Sequence, residues 1–434
     1  MTRRQSAIAG RWLHRGLMAA SLLPTFIAVP ALAQDGAIDV TDAGDTAWVL
    51  AAAILSLLAS LPGLALVICA HARGRNHATA LYQSITVALL IALLWIATGY
   101  TLAFGVVSGG WLGGGNAWML LDLGNVRSGS AIAESAFVLL QLPPAILASM
   151  LITGALIGRI NTAWLLIFTG LWSLVVYAPA AHWILGGGWL ATSVGTLDWN
   201  GGIVTQITAA VTALVLARQL GPRQQDNATP VPLGPVIAML GAVLFLLGQA
   251  AANGGGALAA NDDAAAAMLS TLAAAAGGTM AWLVLCRIAR QQAGPLALTR
   301  GLLAGLATVA PAAGFVSPGA ALLLGALGGV CGRFVAQLIR TRTSIDDSTD
   351  IFALFGVTGI AGALLLGIFI APVMGGTGFG HAQTLVGQLV AQAVGVAVCA
   401  LWALVSTVIL ATMVSIVVPM RVSQDRELKG LDVS

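Results

Sequence analysis

The sequence predicts an all-α polytopic membrane protein with eleven transmembrane helices, and three observations lead there. Of 434 residues, 58% are hydrophobic and only 8% charged, with a mean hydropathy of +0.94. A soluble chain carries roughly a quarter charged residues, so this composition cannot build a water-facing surface. The apolar residues also gather into runs of about the 20 that a spanning helix needs. Lastly, the 53 glycines accompany a high apolar fraction, which points to close helix–helix contact in lipid rather than to disorder.

Taken in chain order, the N-terminus comes first. Arg3, Arg4, Arg11 and Arg15 precede the apolar stretch GLMAASLLPTFIAVPALA, which ends in small residues before Gln34. A basic start, a short apolar core interrupted by Pro24 and Pro30, and an A-x-A-like end fit an export signal over residues 1–33, cleaved near Ala33. The membrane domain is expected over 34–420 and a tail over 421–434. Its spanning runs are 46–70, 79–106, 130–157, 162–185, 198–219, 231–252, 265–289, 300–315, 318–338, 350–371 and 384–420. The last is long enough to tilt or to project beyond the bilayer. Gly301/Gly305 and Gly325/Gly329 recur at helical spacing and are read as tight helix crossings.

Basic residues decide orientation. Arg73, Arg75, Arg159, Arg218, Arg223, Arg287, Arg290, Arg300, Arg333, Arg340, Arg342, Arg421, Arg426 and Lys429 all fall on one side of this arrangement. Arg127 alone falls opposite, where the loops carry glycine and acid, as in 108-SGGWLGGGN-116 and 261-NDD-263. An odd number of spans, with the N-terminus outside and the C-terminus in the cytoplasm, accounts for every loop of an inner-membrane protein.

Ionisable groups inside spans are costly and so are candidates for function. Glu134 lies near the start of span 3, His182 at the end of span 4, Asp198 opens span 5 and Asp350 opens span 10. Both aspartates are expected to cap their helices by accepting backbone N–H bonds. His182, within 177-YAPAAHW-183, is expected to be a hydrogen-bonded structural residue. No acid–histidine chain crosses the bilayer, which argues against a proton-coupled pump. The absence of a phosphate loop, a nucleophile elbow and a metal-binding histidine pair argues against ATP-driven transport and enzymatic hydrolysis. Cys69, Cys286, Cys331 and Cys399 show no C-x-x-C or metal spacing and read as packing residues, and no cofactor is implied.

Ordered landmarks then carry a resemblance. These are 46-TAWVLAAAILSLLASLPGLAL-66, 99-GYTLAFG-105, 154-GALIGR-159, 177-YAPAAHW-183, 186-GGGWLA-191 and 197-LDWNGGIVTQITA-209 in the first half. The second half adds 253-NGGGALAAND-262, 311-PAAGFVSPGAALLLGALGG-329, 350-DIFALFGVTGIAGALLLGIF-369 and 430-GLDVS-434. The chain resembles the ammonium transporter (Amt/Mep/Rh) family, its bacterial Amt branch in particular. The resemblance implies two inverted five-helix halves around a pore, a long eleventh helix and a homotrimer, a design shared by other transporters. It also implies an outer vestibule that attracts a cation, two stacked gate phenylalanines and two facing pore histidines.

Carried over residue by residue, the resemblance keeps the scaffold and loses the conduction residues. The span 5 histidine of the family falls on Gln206 and the span 10 histidine on Phe355. The gate phenylalanines fall on Pro144 and Ala252, the vestibule tryptophan on Leu185 and the vestibule serine on Gly256. Asp198, Asn253, Pro179, His182 and Gly188 are retained. Losing the tryptophan and both gate rings removes a cation–π cage. Gln206 offers donors and an acceptor but does not change protonation near neutral pH.

The expected function is therefore ammonium/ammonia transport through a modified pore. Two alternatives stay open: a non-conducting sensor or regulatory subunit, and a conduit for another small neutral solute. The basic loops and 426-RELKGLDVS-434 resemble the surface that family members present to PII-type signalling proteins, so such a partner is implied. No nucleic acid partner is expected.

Overall fold

The computed structural model describes residues 41–72, 75–115, 118–124, 126–224, 234–380 and 384–433. The expected signal segment, residues 1–33, lies outside the described residues, as does Ser434. The helices are α1 (Ala43–His71), α2 (His77–Phe104), α3 (Glu134–Leu156), α4 (Thr162–Ile184), α5 (Gly202–Leu220) and α6 (Gly234–Gly255). They continue with α7 (Asp262–Ile288), α8 (Pro295–Val309), α9 (Pro318–Arg342), α10 (Phe352–Phe369) and α11 (Leu385–Val417). A short α12 (Gln424–Lys429) belongs to the tail, and β1 (Val106–Ser108) pairs antiparallel with β2 (Leu112–Gly114) after α2.

Ten of these helices are long and apolar enough to cross a membrane, among the described residues. The eighth expected span does not meet that length. The run placed at 300–315 is the helix α8, which starts at Pro295 and stops at Val309 after 15 residues. At 1.5 Å per residue it extends about 22 Å, short of a ~30 Å hydrocarbon core. Pro311 has no N–H to continue the ladder, and the chain turns through Ala312 N to Val309 O (2.8 Å) and Phe315 N to Ala312 O (2.8 Å) before α9 begins.

Burial sorts the bundle into an interior and a rim. In α3 and α5, 83% and 78% of the apolar window is buried inside the protein, against 33% and 39% in α9 and α11. The apolar side chains that α9 and α11 leave exposed, such as Phe334, Leu338, Leu401 and Ile416, match a lipid-facing role. Glycine makes the closest crossings. A Cβ on Gly305 or Gly325 would run into the backbone of Ala274 on α7, and one on Gly329 would meet Gly278, so α7, α8 and α9 touch backbone to backbone. Both glycine pairs read from the sequence are such crossings.

The tail packs onto the rest of the chain. The Asp432 carboxylate accepts from Ala78 N (3.1 Å) and Thr79 N (2.8 Å) at the start of α2, an anion placed on a helix N-terminus. Arg421 donates to Glu427 (2.9 Å) and to the carbonyls of Leu220 (2.9 Å) and Pro222 (2.8 Å), which ties the tail to the end of α5. Beside it, the fully buried Arg159 guanidinium donates to Ser348 Oγ (3.0 Å) and to the Asp346 carbonyl. Burial pulls Arg159 down to about 10, so it stays charged at neutral pH, while the Arg223 and Arg159 charges hold the Asp346 carboxyl below its usual range against the opposing cost of burial.

Candidate functional site

Two helix starts, facing each other in the interior, build the site. Gly201 adopts φ +76°, the left-handed turn that lets Asp198 fold back over the start of α5. Asp198 Oδ1 accepts from Gly202 N (2.6 Å), and Oδ2 accepts from Ile203 N (2.8 Å) and Val204 N (3.2 Å). The expected cap is present. A side chain on Gly202 would collide with Pro311, so the α5 start is pressed directly against the turn after α8.

At α10 the expected cap is corrected. Asp350 does not cap that helix; it sits at φ +59° with its carboxylate held by Arg340 and by Arg300 (3.1 Å). Asp347 takes the capping role instead, its Oδ2 accepting from Phe352 N (2.8 Å). Two guanidiniums outcompete backbone N–H groups for the Asp350 carboxylate because charge-assisted pairs are the stronger bonds. Gln206 follows Asp198 by eight residues and Phe355 follows Asp347 by eight, so the two capped starts present their key side chains in register.

Both side chains lie in π-helical segments, Gly202–Ile207 and Phe352–Val357. Such wider turns rotate side chains off the α-helical stripe and recur at functional sites. Gln206, Phe355, Pro144 and Ala252 line one cavity together with Ser56, Leu64, Leu147, Leu151, Asn200, Thr205, Phe245 and Gln249. Its volume for a water centre is about 10 Å³, the threshold for a single molecule. The Phe355 ring is buried and meets Phe245 edge-on at 6.1 Å. The Gln206 amide oxygen faces α10, within 3.7 Å of where a Cβ on Gly359 would stand. Gln206 and Ser56 line the cavity, and Gln206 Oε1 and Ser56 Oγ are buried without a protein hydrogen-bond partner.

The vestibule positions are not part of this cavity. Leu185 lines a larger one of about 680 Å³, walled by Tyr100, Phe104, Arg127 and Glu134. There Glu134 accepts from the Tyr100 hydroxyl and from Arg127 (3.2 Å), whose guanidinium lies 4.2 Å from the Phe137 ring centre. Gly256 packs instead against the Trp199 indole, which donates to Asn253 O (2.8 Å). Asn253 is further bonded to Asn200 (2.9 Å) and Thr271 (2.8 Å). His182 is fully buried with Nδ1 3.1 Å from Ala103 O, the structural role expected of it.

Sequence reasoning missed Gln249, Asn200 and Ser56. They are uncharged, so a search for ionisable groups inside spans passes over them. The signal that would have found Gln249 is an isolated amide inside VLFLLGQAAA, where an unpaired polar group is costly; it donates to Ser60 Oγ at 3.2 Å. Among the described residues no cluster of three metal-ligating side chains occurs, and the four cysteines are free.

A family model described as the Ammonium Transporter Family matches residues 47–434. The chain is 34% identical over 401 residues to a putative ammonium transporter of Methanothermobacter thermautotrophicus, covering 91% of this chain and 97% of the relative. It is 35% identical over 396 residues to ammonium transporter Amt1 of Archaeoglobus fulgidus, covering 90% and 97%. Among solved structures it is similar in fold to a sensor Amt protein, with a TM-score of 0.83 at 24% identity over 90% of this chain and 97% of that one. It is also similar to Mep2 of Candida albicans, with a TM-score of 0.81 at 26% identity over 89% and 88%. With the family model matched over residues 47–434 and relatives of this kind covering about nine-tenths of its length, the chain belongs to the ammonium transporter family.

Proposed function

We propose that this protein moves ammonia or ammonium across the membrane through a lane that works without titratable imidazoles. One observation carries the reading: the cavity of about 10 Å³ lined by Gln206 and Phe355 fits one water-sized molecule, and the buried Gln206 Oε1 has no protein hydrogen-bond partner. Ammonia matches water in size, and its N–H groups can donate to Gln206 Oε1 and Ser56 Oγ. A bare ammonium ion would meet a steep desolvation cost among Leu64, Leu147, Leu151 and Phe245, so the species crossing this step is neutral. Since Gln206 and Phe355 cannot take the proton, it has to be released before the lane.

The test is methylammonium uptake by vesicles containing the wild type or the Gln206→His/Phe355→His double variant. Saturable wild-type uptake supports the reading; a silent wild type beside a conducting double variant replaces it with the sensor reading. The buried Phe355 ring, set across the lane against Phe245, is the observation that favours this second reading.

The same proposal includes a cleaved export signal over 1–33, a C-terminus in the cytoplasm of the inner membrane, a homotrimer, and a PII-type protein on the basic face. The one-sided Lys/Arg distribution supports the orientation. A pull-down with a PII protein at varied ADP and 2-oxoglutarate checks the partner, and absence of binding in every condition retires it.

A further inference from the structure

The α6 wall of the lane carries one amide in an otherwise apolar run. Gln249 stands in VLFLLGQAAA with Phe245 a turn before it and Ala252 a turn after, and all three line the cavity shared with Gln206 and Phe355. Its neighbour Gly248 allows a close approach: a Cβ there would collide with Ser60, so α6 is pressed against α1 at the end of the π-helical segment Ser56–Ser60. That contact brings Ser60 Oγ within reach of Gln249 Nε2, which donates to it at 3.2 Å. Both residues are buried. With one N–H committed to Ser60, the Gln249 amide keeps its carbonyl oxygen and a second N–H for an occupant of the cavity.

Two amides from different helices, Gln206 on α5 and Gln249 on α6, therefore line one small space together with the Ser56 hydroxyl of α1. A buried amide is costly unless its groups are paired, a cost that an apolar side chain at this position would not carry. A site built from hydrogen-bonding groups rejects a solute that leaves one of them unpaired. Ammonia brings three N–H donors to this space, whereas methylamine brings two and a methyl group. We propose that Gln249 is a specificity-determining residue of the lane, favouring ammonia over methylamine by accepting the third N–H, with Ser60 as the positioning residue that holds its amide. This rests on the reading that a neutral amine crosses the lane.

Vesicles containing the full chain and a trapped pH-sensitive dye test it. Inward gradients of ammonium and of methylammonium are applied in turn, and protein-free vesicles give the background. The readout is the ratio of the two fluxes, which a general loss of folded protein would not move. Gln249→Met keeps a side chain of similar length and removes the amide; its ammonium-to-methylammonium ratio should fall about fivefold, the contribution of one neutral hydrogen bond. Ser60→Ala leaves Gln249 in place and frees its amide, and should lower the ratio about twofold. A folded Gln249→Met variant with the wild-type ratio overturns the proposal and leaves transport through the lane standing. If Gln249→Met does not fold, Ser60→Ala decides, and an unchanged ratio there has the same force. A wild type that passes neither amine overturns the transport reading and this proposal with it.

Discussion

The start of α5 makes the sharpest prediction about this fold. Asp198 is buried and its two carboxylate oxygens accept three backbone N–H bonds at 2.6, 2.8 and 3.2 Å. In Asp198→Ala those three donors lose their acceptor in a place water does not reach, at about 1–3 kcal/mol for each unsatisfied group. Part of this is offset because a buried carboxylate no longer has to be desolvated. We therefore expect a net loss of about 3–5 kcal/mol, well above the ~1 kcal/mol of an ordinary exposed cap. Asp198→Asn keeps one acceptor and loses the charge, so about 2 kcal/mol is expected. SDS titration of the purified protein, followed by tryptophan fluorescence, reads both. Uptake of methylammonium should fall in the same order, since the segment that positions Gln206 begins at this cap. An alanine variant within 1 kcal/mol of wild type would show that the cap does not hold the helix and would refute the argument.

Three further outcomes follow from other parts of the structure. Phe355→Ala removes a buried ring at a cost of about 3–5 kcal/mol and opens the lane; methylammonium uptake should rise severalfold, and a folded variant with unchanged uptake means the ring is not the barrier. Burial pushes the Asp347 carboxyl from 3.8 up to about 6, so its protonated form favours the folded state. Stability from this group is complete below pH ~4 and is lost as pH rises through about 6, up to about 3 kcal/mol in all. Asp347→Asn keeps an acceptor for Phe352 N, so its unfolding midpoint should lose this fall between about pH 4 and 6 and exceed wild type at pH 8; a slope equal to wild type counts against it. Asp432→Ala removes the acceptor for Ala78 N and Thr79 N and should release the tail by about 1 kcal/mol, roughly fivefold in its undocked population. Tryptic cleavage after Lys429 should speed up accordingly, and an unchanged rate would mean that other contacts hold the tail.

Much of this protein could be read from its residues before any coordinates. Apolar runs of spanning length and the one-sided arginines are properties of local sequence, since each run must satisfy its own backbone in lipid. Ten runs accordingly fall on ten membrane-length helices. Asp198 was legible as a cap because a cap is a short-range device, as was the glycine spacing at Gly301/Gly305, whose only physical use is close approach. The Asp350 cap failed, and one of the eleven expected spans is a shorter helix. Span 8 is cut short by Pro311 within a turn packed against Gly202, and the Asp350 carboxylate is taken by Arg300 and Arg340.

Pro311 is local and lies inside the expected run itself, whereas the partners of Asp350 sit on other helices. The same holds for the cavity that brings Gln206 on α5, Phe355 on α10, Pro144 on α3 and Ala252 on α6 into one wall, and for Gln249 and Ser56, which no charge marks. Sequence by itself determined a helical membrane bundle, because composition and local hydrogen bonding settle that much, and its ordered motifs carried the resemblance to the ammonium transporter family. Only the tertiary structure decided that Gln206, Phe355, Pro144 and Ala252 converge on a space for one small molecule, that Asp347 and not Asp350 anchors the second helix, and that Ser60 holds the Gln249 amide beside that space. Packing between helices brings remote side chains into contact, and only there do their charges and volumes compete.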